Sequence, residues 1–190
     1  MAHRQTSRLL LVRHCAAQHQ GPEAALTAAG QQAAEQLAAQ LAGFGAQAVY
    51  SSPYARAVAT VRPFSERSGL AVTHDERLRE RHLSNEPLSD WLDHLRRSYE
   101  DLDYRACGGE SLRDVQARGL EVLSEIASRH ERAIVATHGQ WISAVLHHVD
   151  RSFAFDSWRA LQNPDLFVVW WKTGFPLGYE RMVHQPAQRA

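Results

Sequence analysis

Five side chains of this 190-residue sequence have the chemistry to grip and transfer a dianion. Arg13 and His14 follow the apolar run Leu9-Leu10-Leu11-Val12. Arg56 lies just beyond Ser51-Ser52-Pro53. Glu80 follows Leu78-Arg79, and His138 stands before Gly139 at the end of a second apolar run, Ala133 to Thr137. Guanidinium forks pair bidentately with phosphate oxygens and stay charged at physiological pH. A neutral imidazole can attack phosphorus in line. The transition state spreads negative charge over equatorial oxygens, so fixed donors supply most of the rate. A carboxylic acid can protonate the leaving oxygen and then, as carboxylate, activate water. Two guanidiniums, two imidazoles and one carboxyl group therefore suit a phosphomonoester.

These residues do chemistry only if the chain brings them together. Runs such as Leu9–Val12 and Ala133–Ala136 read as strands buried on both faces, as in a parallel sheet. In such sheets ligands bind beyond the carboxyl ends of the strands, where Arg13-His14 and His138-Gly139 fall. Thr27 is placed to cap a helix that carries Ala34, Leu37, Ala38 and Leu41 at i, i+3, i+4 and i+7 and ends at Gly43 and Gly45. Ala48 to Ser51 reads as a short strand, with a helix starting at Ser52-Pro53, and Leu70 to Thr73 as another strand. Residues 81–109 break the alternation: a polar stretch, a helix from Ser89 with Trp91, Leu95 and Tyr99 at fourfold spacing, and Gly108-Gly109. This reads as a short cap inserted over the sheet. A helix from Glu110 follows, then the second buried strand and a further helix. Residues 166–172 and 177–183 read as a hairpin around Gly174-Phe175-Pro176 that places an antiparallel strand at the sheet edge, and the tail from His184 as loose. The expectation is one α/β domain over 1–190, three layers α/β/α, mainly parallel.

Composition narrows the class. Lys plus Arg and Asp plus Glu are 21 each, so the formal net charge is zero. That argues against nucleic acid or a membrane surface as a partner. Cys15 and Cys107 lie in no metal-ligand spacing. The eleven histidines include no pair at ligand spacing with a nearby carboxylate, so no metal and no cofactor are expected. The first apolar run is too short for a signal peptide or membrane span, and the expectation is a cytoplasmic protein. His147-His148 reads as packing and surface. Trp170 and Trp171 alternate across a strand, so one of them can be exposed and mark a homodimer contact.

The pieces Leu11-Val12-Arg13-His14, Leu26-Thr27-x-x-Gly30, Tyr50-Ser51-Ser52-Pro53-x-x-Arg56-Ala57-x-x-Thr60, Leu78-x-Glu80, Gly109-Glu110-Ser111 and Thr137-His138-Gly139 occur in that order. In this the chain resembles the histidine phosphatase superfamily, the phosphoglycerate mutase-like proteins, in its short-cap phosphatase branch. The resemblance implies a phosphoglycerate mutase-like fold and a metal-independent acid phosphatase-type hydrolase. His14 would be the phosphate acceptor. Arg13, Arg56, His138 and the backbone N–H of Gly139 would bind the phosphoryl group, and Glu80 would be the proton donor, with Glu76 and Glu86 as rivals. The implied substrate is a small phosphomonoester.

The sequence departs from the family pattern in two places. Cys15 stands where the commonest motif has glycine. Beside a cationic pocket its thiol pKa is expected to fall, so that alkylation would inactivate and phosphate would protect. Gln20 stands near where the family often has an asparagine that donates to phosphate; its amide reaches from one methylene further. Glu80-Arg81-His82 echoes a mutase motif in which the arginine holds a substrate carboxylate, which makes Arg81 a substrate-binding candidate. The alternatives to a phosphatase are mutase-type phosphoryl transfer and a non-catalytic phospholigand-binding protein on the same fold. The cap carries four arginines against six acids, which does not favour a polyanionic substrate.

Overall fold

The computed structural model describes residues 6–172 and 174–182; the expected loose tail from His184 lies outside them. Six strands form one sheet: β1 (Ser7–Arg13), β2 (Ala48–Ser51), β3 (Val72–His74), β4 (Arg132–Thr137), β5 (Asp165–Lys172) and β6 (Phe175–Met182), in the order β3-β2-β4-β1-β5-β6. β1, β2, β3 and β4 pair in parallel; β5 runs antiparallel to β1 and to β6. Among the described residues six α-helices pack with it: α1 (Ala28–Phe44), α2 (Ala55–Ser68), α3 (Trp91–Glu100), α4 (Leu112–Arg129), α5 (Gly139–Val149) and α6 (Phe155–Arg159).

The apolar runs become central strands because both faces of the sheet are covered. Leu9 and Leu11 enter a cluster with Val115, Val122, Trp141 and Val145 of α4 and α5. Their neighbours Leu10 and Val12 enter the opposite cluster with Leu37, Leu41, Val61 and Phe64 of α1 and α2. Each of the four β1 side chains is at most 1% exposed, worth about 1.5–3 kcal/mol apiece. Burial on this scale holds β1 and β4 in register, so that Arg13 pairs with Thr137 and the two histidines after them emerge side by side.

Local signals set most boundaries. The Thr27 hydroxyl accepts from Gly30 N at 3.0 Å, and Gly45, at φ 67°, ends α1. Gly43 lies inside α1, so only Gly45 acts as the stop. α2 starts later than expected: Tyr54 caps it and Pro53 precedes the helix. α4 starts at Leu112, because Ser111 and Asp114 form a reciprocal capping box that makes Ser111 the boundary. β3 is shifted to Val72–His74, since it only needs to match β2, and Val49 pairs with Val72. The cap helix α3 buries Leu95 and presents Tyr99 to Ser143 of α5, while Trp91 stays 43% exposed; only part of that fourfold stripe is core. Trp171 is buried and Trp170 half-buried, and the prominent exposed apolar residues of the hairpin are Phe175 and Leu177. No helix of the described residues is long and apolar enough to cross a membrane.

Candidate active site

Arg13, His14, Arg56, Glu80, His138 and Gly139 converge beyond the carboxyl ends of β1, β2 and β4. His14 follows β1, and its N–H donates to Thr137 O at 3.0 Å. The imidazole is 4% exposed. Its Nδ1 lies 2.7 Å from Cys15 O. A carbonyl only accepts, so Nδ1 carries the hydrogen and Nε2 keeps its lone pair. Arg56 Nε donates to that Nε2 at 3.1 Å. Burial, reinforced by the Arg56 and Arg13 charges and opposed by the Cys15 carbonyl, lowers the His14 pKa to about 4. The ring is therefore neutral at pH 7, with an unprotonated Nε2 that accepts from a guanidinium.

Both phosphate-binding arginine candidates are anchored from behind. Arg13 Nη1 donates to Leu161 O at 2.9 Å and Gln162 O at 3.3 Å, while its buried Nε has no partner. Arg56 Nη1 donates to Gln20 O and Gly21 O at 3.1 and 2.7 Å. Burial lowers the pKa of both, yet a guanidinium stays protonated at any working pH. Buried cations with an unpartnered N–H are poised for an anion. Gly139 opens α5, and a Cβ there would meet Arg13 Nε, Cζ and Nη2 at 3.0, 3.1 and 3.3 Å. Glycine is what lets the guanidinium lie against that helix N-terminus.

His138 is fully buried, its Nε2 2.8 Å from Ser52 Oγ and its Nδ1 without a partner. Its ring meets His14 edge-on at 5.2 Å. Burial, then the charges of neighbouring cationic groups, pushes its pKa well below the usual histidine range. Alone it would read as a core-edge histidine; the unpartnered Nδ1 beside His14 makes it a candidate for the site.

Glu80 is held by backbone. Its Oε1 accepts from Arg81 N at 2.9 Å and Trp141 N at 3.1 Å, and its Oε2 from Gln140 N at 3.2 Å. The segment before it is fastened through its carbonyls: Thr137 Oγ1 donates to Leu78 O, Trp141 Nε1 to Arg77 O, and Arg118 to Arg77 O and Arg79 O. The neighbouring arginines pair elsewhere, Arg77 with Asp75, Glu121 and Glu125, and Arg79 with Glu76. Glu76 is thus occupied on the surface. Glu86 is exposed near Cys107. Neither lines the cavity of about 570 Å³ into which Arg13, Arg56, Glu80 and Gly139 open.

Arg81 and Gln20 line the same cavity. Arg81 is 4% exposed. Its Nε donates to Glu110 O, and both terminal nitrogens are buried without partners. Burial lowers its pKa. Gln20 contributes its carbonyl to Arg56, and its exposed side chain stands at the rim. Cys15 corrects an expectation. Its side chain is 0% exposed, packed with Leu26, Leu37 and Val61, and burial pushes its thiol up to about 11, against a small opposing effect of Thr60. Its backbone turns toward the site, donating to Thr60 Oγ1 and offering the carbonyl to His14, while its side chain turns into the core. The cationic pocket therefore does not activate it. His147 packs, with Nδ1 on Phe153 O and its ring edge-on to Tyr99, while His148 is exposed.

Several contributors carried no role in the sequence reading. Ser52 orients His138. Tyr54 lies under the Arg56 guanidinium, 5.1 Å from Cζ to ring centroid. Asn163 Nδ2 donates to His14 O at 2.7 Å across 149 residues of chain, which no local pattern could reveal. Among the described residues no group of three or more His, Cys, Asp and Glu gathers in a metal-binding arrangement.

Comparison with known proteins bears on the fold and the family. A mycobacterial glucosyl-3-phosphoglycerate phosphatase superposes with a TM-score of 0.76 at 25% identity, over 94% of this chain and 98% of that one. Phosphoserine phosphatase from Entamoeba histolytica gives 0.72 at 20% identity, over 94% and 98%. Phosphoglycerate mutase from Bacillus anthracis gives 0.73 at 17%, over 94% and 92%, a likeness of fold. No curated protein matches the sequence. The family model for the histidine phosphatase superfamily (branch 1) matches residues 9–174, a span containing every site residue above, and the chain belongs to that superfamily.

Proposed function

We propose that this protein is a metal-independent phosphomonoesterase that works through a phosphohistidine on His14, acting on a small phosphorylated metabolite. The observation that carries the proposal is the tautomer of His14: Nδ1–H given to its neighbour's carbonyl, Nε2 left as a lone pair facing Arg56.

A phosphoryl group entering the cavity takes the N–H of Arg56 that now rests on His14, together with the free Nε–H of Arg13 and the N-terminal N–H of α5 at Gly139. His138 adds a buried ring nitrogen. His14 Nε2 attacks phosphorus, the P–O bond to the leaving alcohol breaks, and the alkoxide takes a proton from Glu80. The Glu80 carboxylate then removes a proton from water, and the hydroxide attacks the phosphohistidine. This breaks the P–N bond and restores both His14 and protonated Glu80. The exposed Gln20 amide serves the rim of the phosphate site. Arg81, with two buried unpartnered nitrogens in the same cavity, holds an acidic group of the substrate.

The same Arg81 favours a second reading, mutase-type transfer between hydroxyls of a phosphorylated acid. The short cap supports water as the acceptor, because a mutase must shield its intermediate. The test is trapping with ³²P-labelled phosphomonoesters in the presence of a chelator. Acid-labile, base-stable label on wild type but not on His14→Ala, with phosphate released and no interconversion of 2- and 3-phosphoglycerate, is the expected result. No label in either protein would favour phospholigand binding without turnover and reject the proposal.

A further inference from the structure

Part of the cavity wall does no work in this scheme and has a different chemistry. Trp91, at the start of α3, and Trp158, on α6, line it from two separate elements, together with Leu83. Their rings meet edge-to-face, 6.1 Å apart at 87°. Trp158 is in turn braced by Phe155 at 5.6 Å, over which Arg96 lies. The wall is therefore a held surface, although Trp91 remains 43% exposed. Helix α3 does not need that indole for packing, since Leu95 and Tyr99 dock the cap. Gln140 lines the same cavity, and its Oε1 is buried with no donor. A buried acceptor left without a partner is costly. A volume of about 570 Å³ also leaves room well beyond a phosphoryl group.

We propose that this wall is the subsite for the leaving group, and that the leaving group carries a hydroxylated ring of the sugar or cyclic-polyol kind. Naming it the leaving group rests on the phosphatase reading above. The C–H face of the ring lies on the Trp91 indole, and a ring hydroxyl donates to Gln140 Oε1. An acyclic alcohol would leave the indole face wet. A plain aryl ring would cover it but leave Gln140 unpaired.

Calorimetric binding to the full chain in a His14→Ala background, which cannot turn the esters over, tests this with three esters: glucose 6-phosphate, glycerol 3-phosphate and phenyl phosphate. That background, otherwise unchanged, should bind the sugar ester most tightly. Trp91→Ala, at an exposed helix start, should lose about tenfold more affinity for glucose 6-phosphate than for glycerol 3-phosphate, with Trp91→Phe keeping most of the difference. Gln140→Leu should erase the preference for glucose 6-phosphate over phenyl phosphate. Equal losses across the three esters, no loss, or phenyl phosphate binding as tightly as the sugar ester would overturn the proposal. Turnover of the same esters separates the two readings. The binding pattern without phosphate release refutes the phosphatase and leaves the subsite standing. Release from all three with no Trp91-dependent difference does the reverse.

Discussion

Acidification should protonate His14 only far below the usual imidazole range, and the shift can be worked from its surroundings. The ring is buried beside two permanent cations, and its single compensating contact is the Cys15 carbonyl. Against an ordinary value of 6.5, a pKa of about 4 means that the folded protein disfavours the imidazolium by roughly 3 kcal/mol. Two consequences share that number. The nucleophile stays competent down to about pH 4, and the unfolded chain takes up the proton first. Stability should therefore fall as pH drops from about 6.5 toward 4, by up to roughly 3 kcal/mol from this group. His138 and His147, also lowered by burial, act in the same direction. The pH dependence of kcat/KM also reports ionisation of the substrate phosphate, so the direct assay is NMR titration of ring-labelled histidine with His14→Gln as the assignment control. Adding orthophosphate should raise the His14 pKa, because the dianion offsets the arginines. A His14 midpoint near 6.5 in the free protein, or one that phosphate leaves unmoved, would refute the reasoning.

Three further perturbations follow from the same geometry. Glu80→Gln should lower kcat/KM, which reports the leaving-group step and not the later attack of water, by about 10²–10⁴ for alkyl phosphates and far less for 4-nitrophenyl phosphate, whose leaving group needs no proton; equal loss of kcat/KM on both would deny Glu80 its role as the acid. Gly139→Ala should weaken competitive inhibition by inorganic phosphate about tenfold, since a methyl 3.0 Å from Arg13 Nε makes a guanidinium tethered to the Leu161 and Gln162 carbonyls give by a few tenths of an ångström; an unchanged inhibition constant would show that Arg13 yields freely. A thiol reagent should label exposed Cys107 quickly and buried Cys15 only on unfolding, with activity retained; peptide mapping that finds native-state labelling at Cys15 would contradict its placement.

The sequence by itself determined the architecture and singled out most residues of the candidate site. Unbroken apolar runs at Leu9–Val12 and Ala133–Ala136 can be satisfied only where both faces are covered, and Arg13-His14 and His138-Gly139 then necessarily stand at strand ends. Glu80 was legible by its order among the motifs, but the choice over Glu76 and Glu86 was not, because it depends on the N-terminus of α5 presenting Gln140 and Trp141 N–H groups to one particular carboxylate. Cys15 departs from the sequence expectation for a related reason. Adjacency in sequence put it beside two cationic groups, while the turn of the chain after β1 sends its side chain into the α1–α2 core and leaves only its carbonyl for His14. The His14 tautomer, the Asn163 contact and the Trp91–Trp158 wall likewise join residues far apart in the chain or depend on where a backbone carbonyl points. Patterning specifies which faces are buried; direction and contact across the sheet are settled when the two cores close.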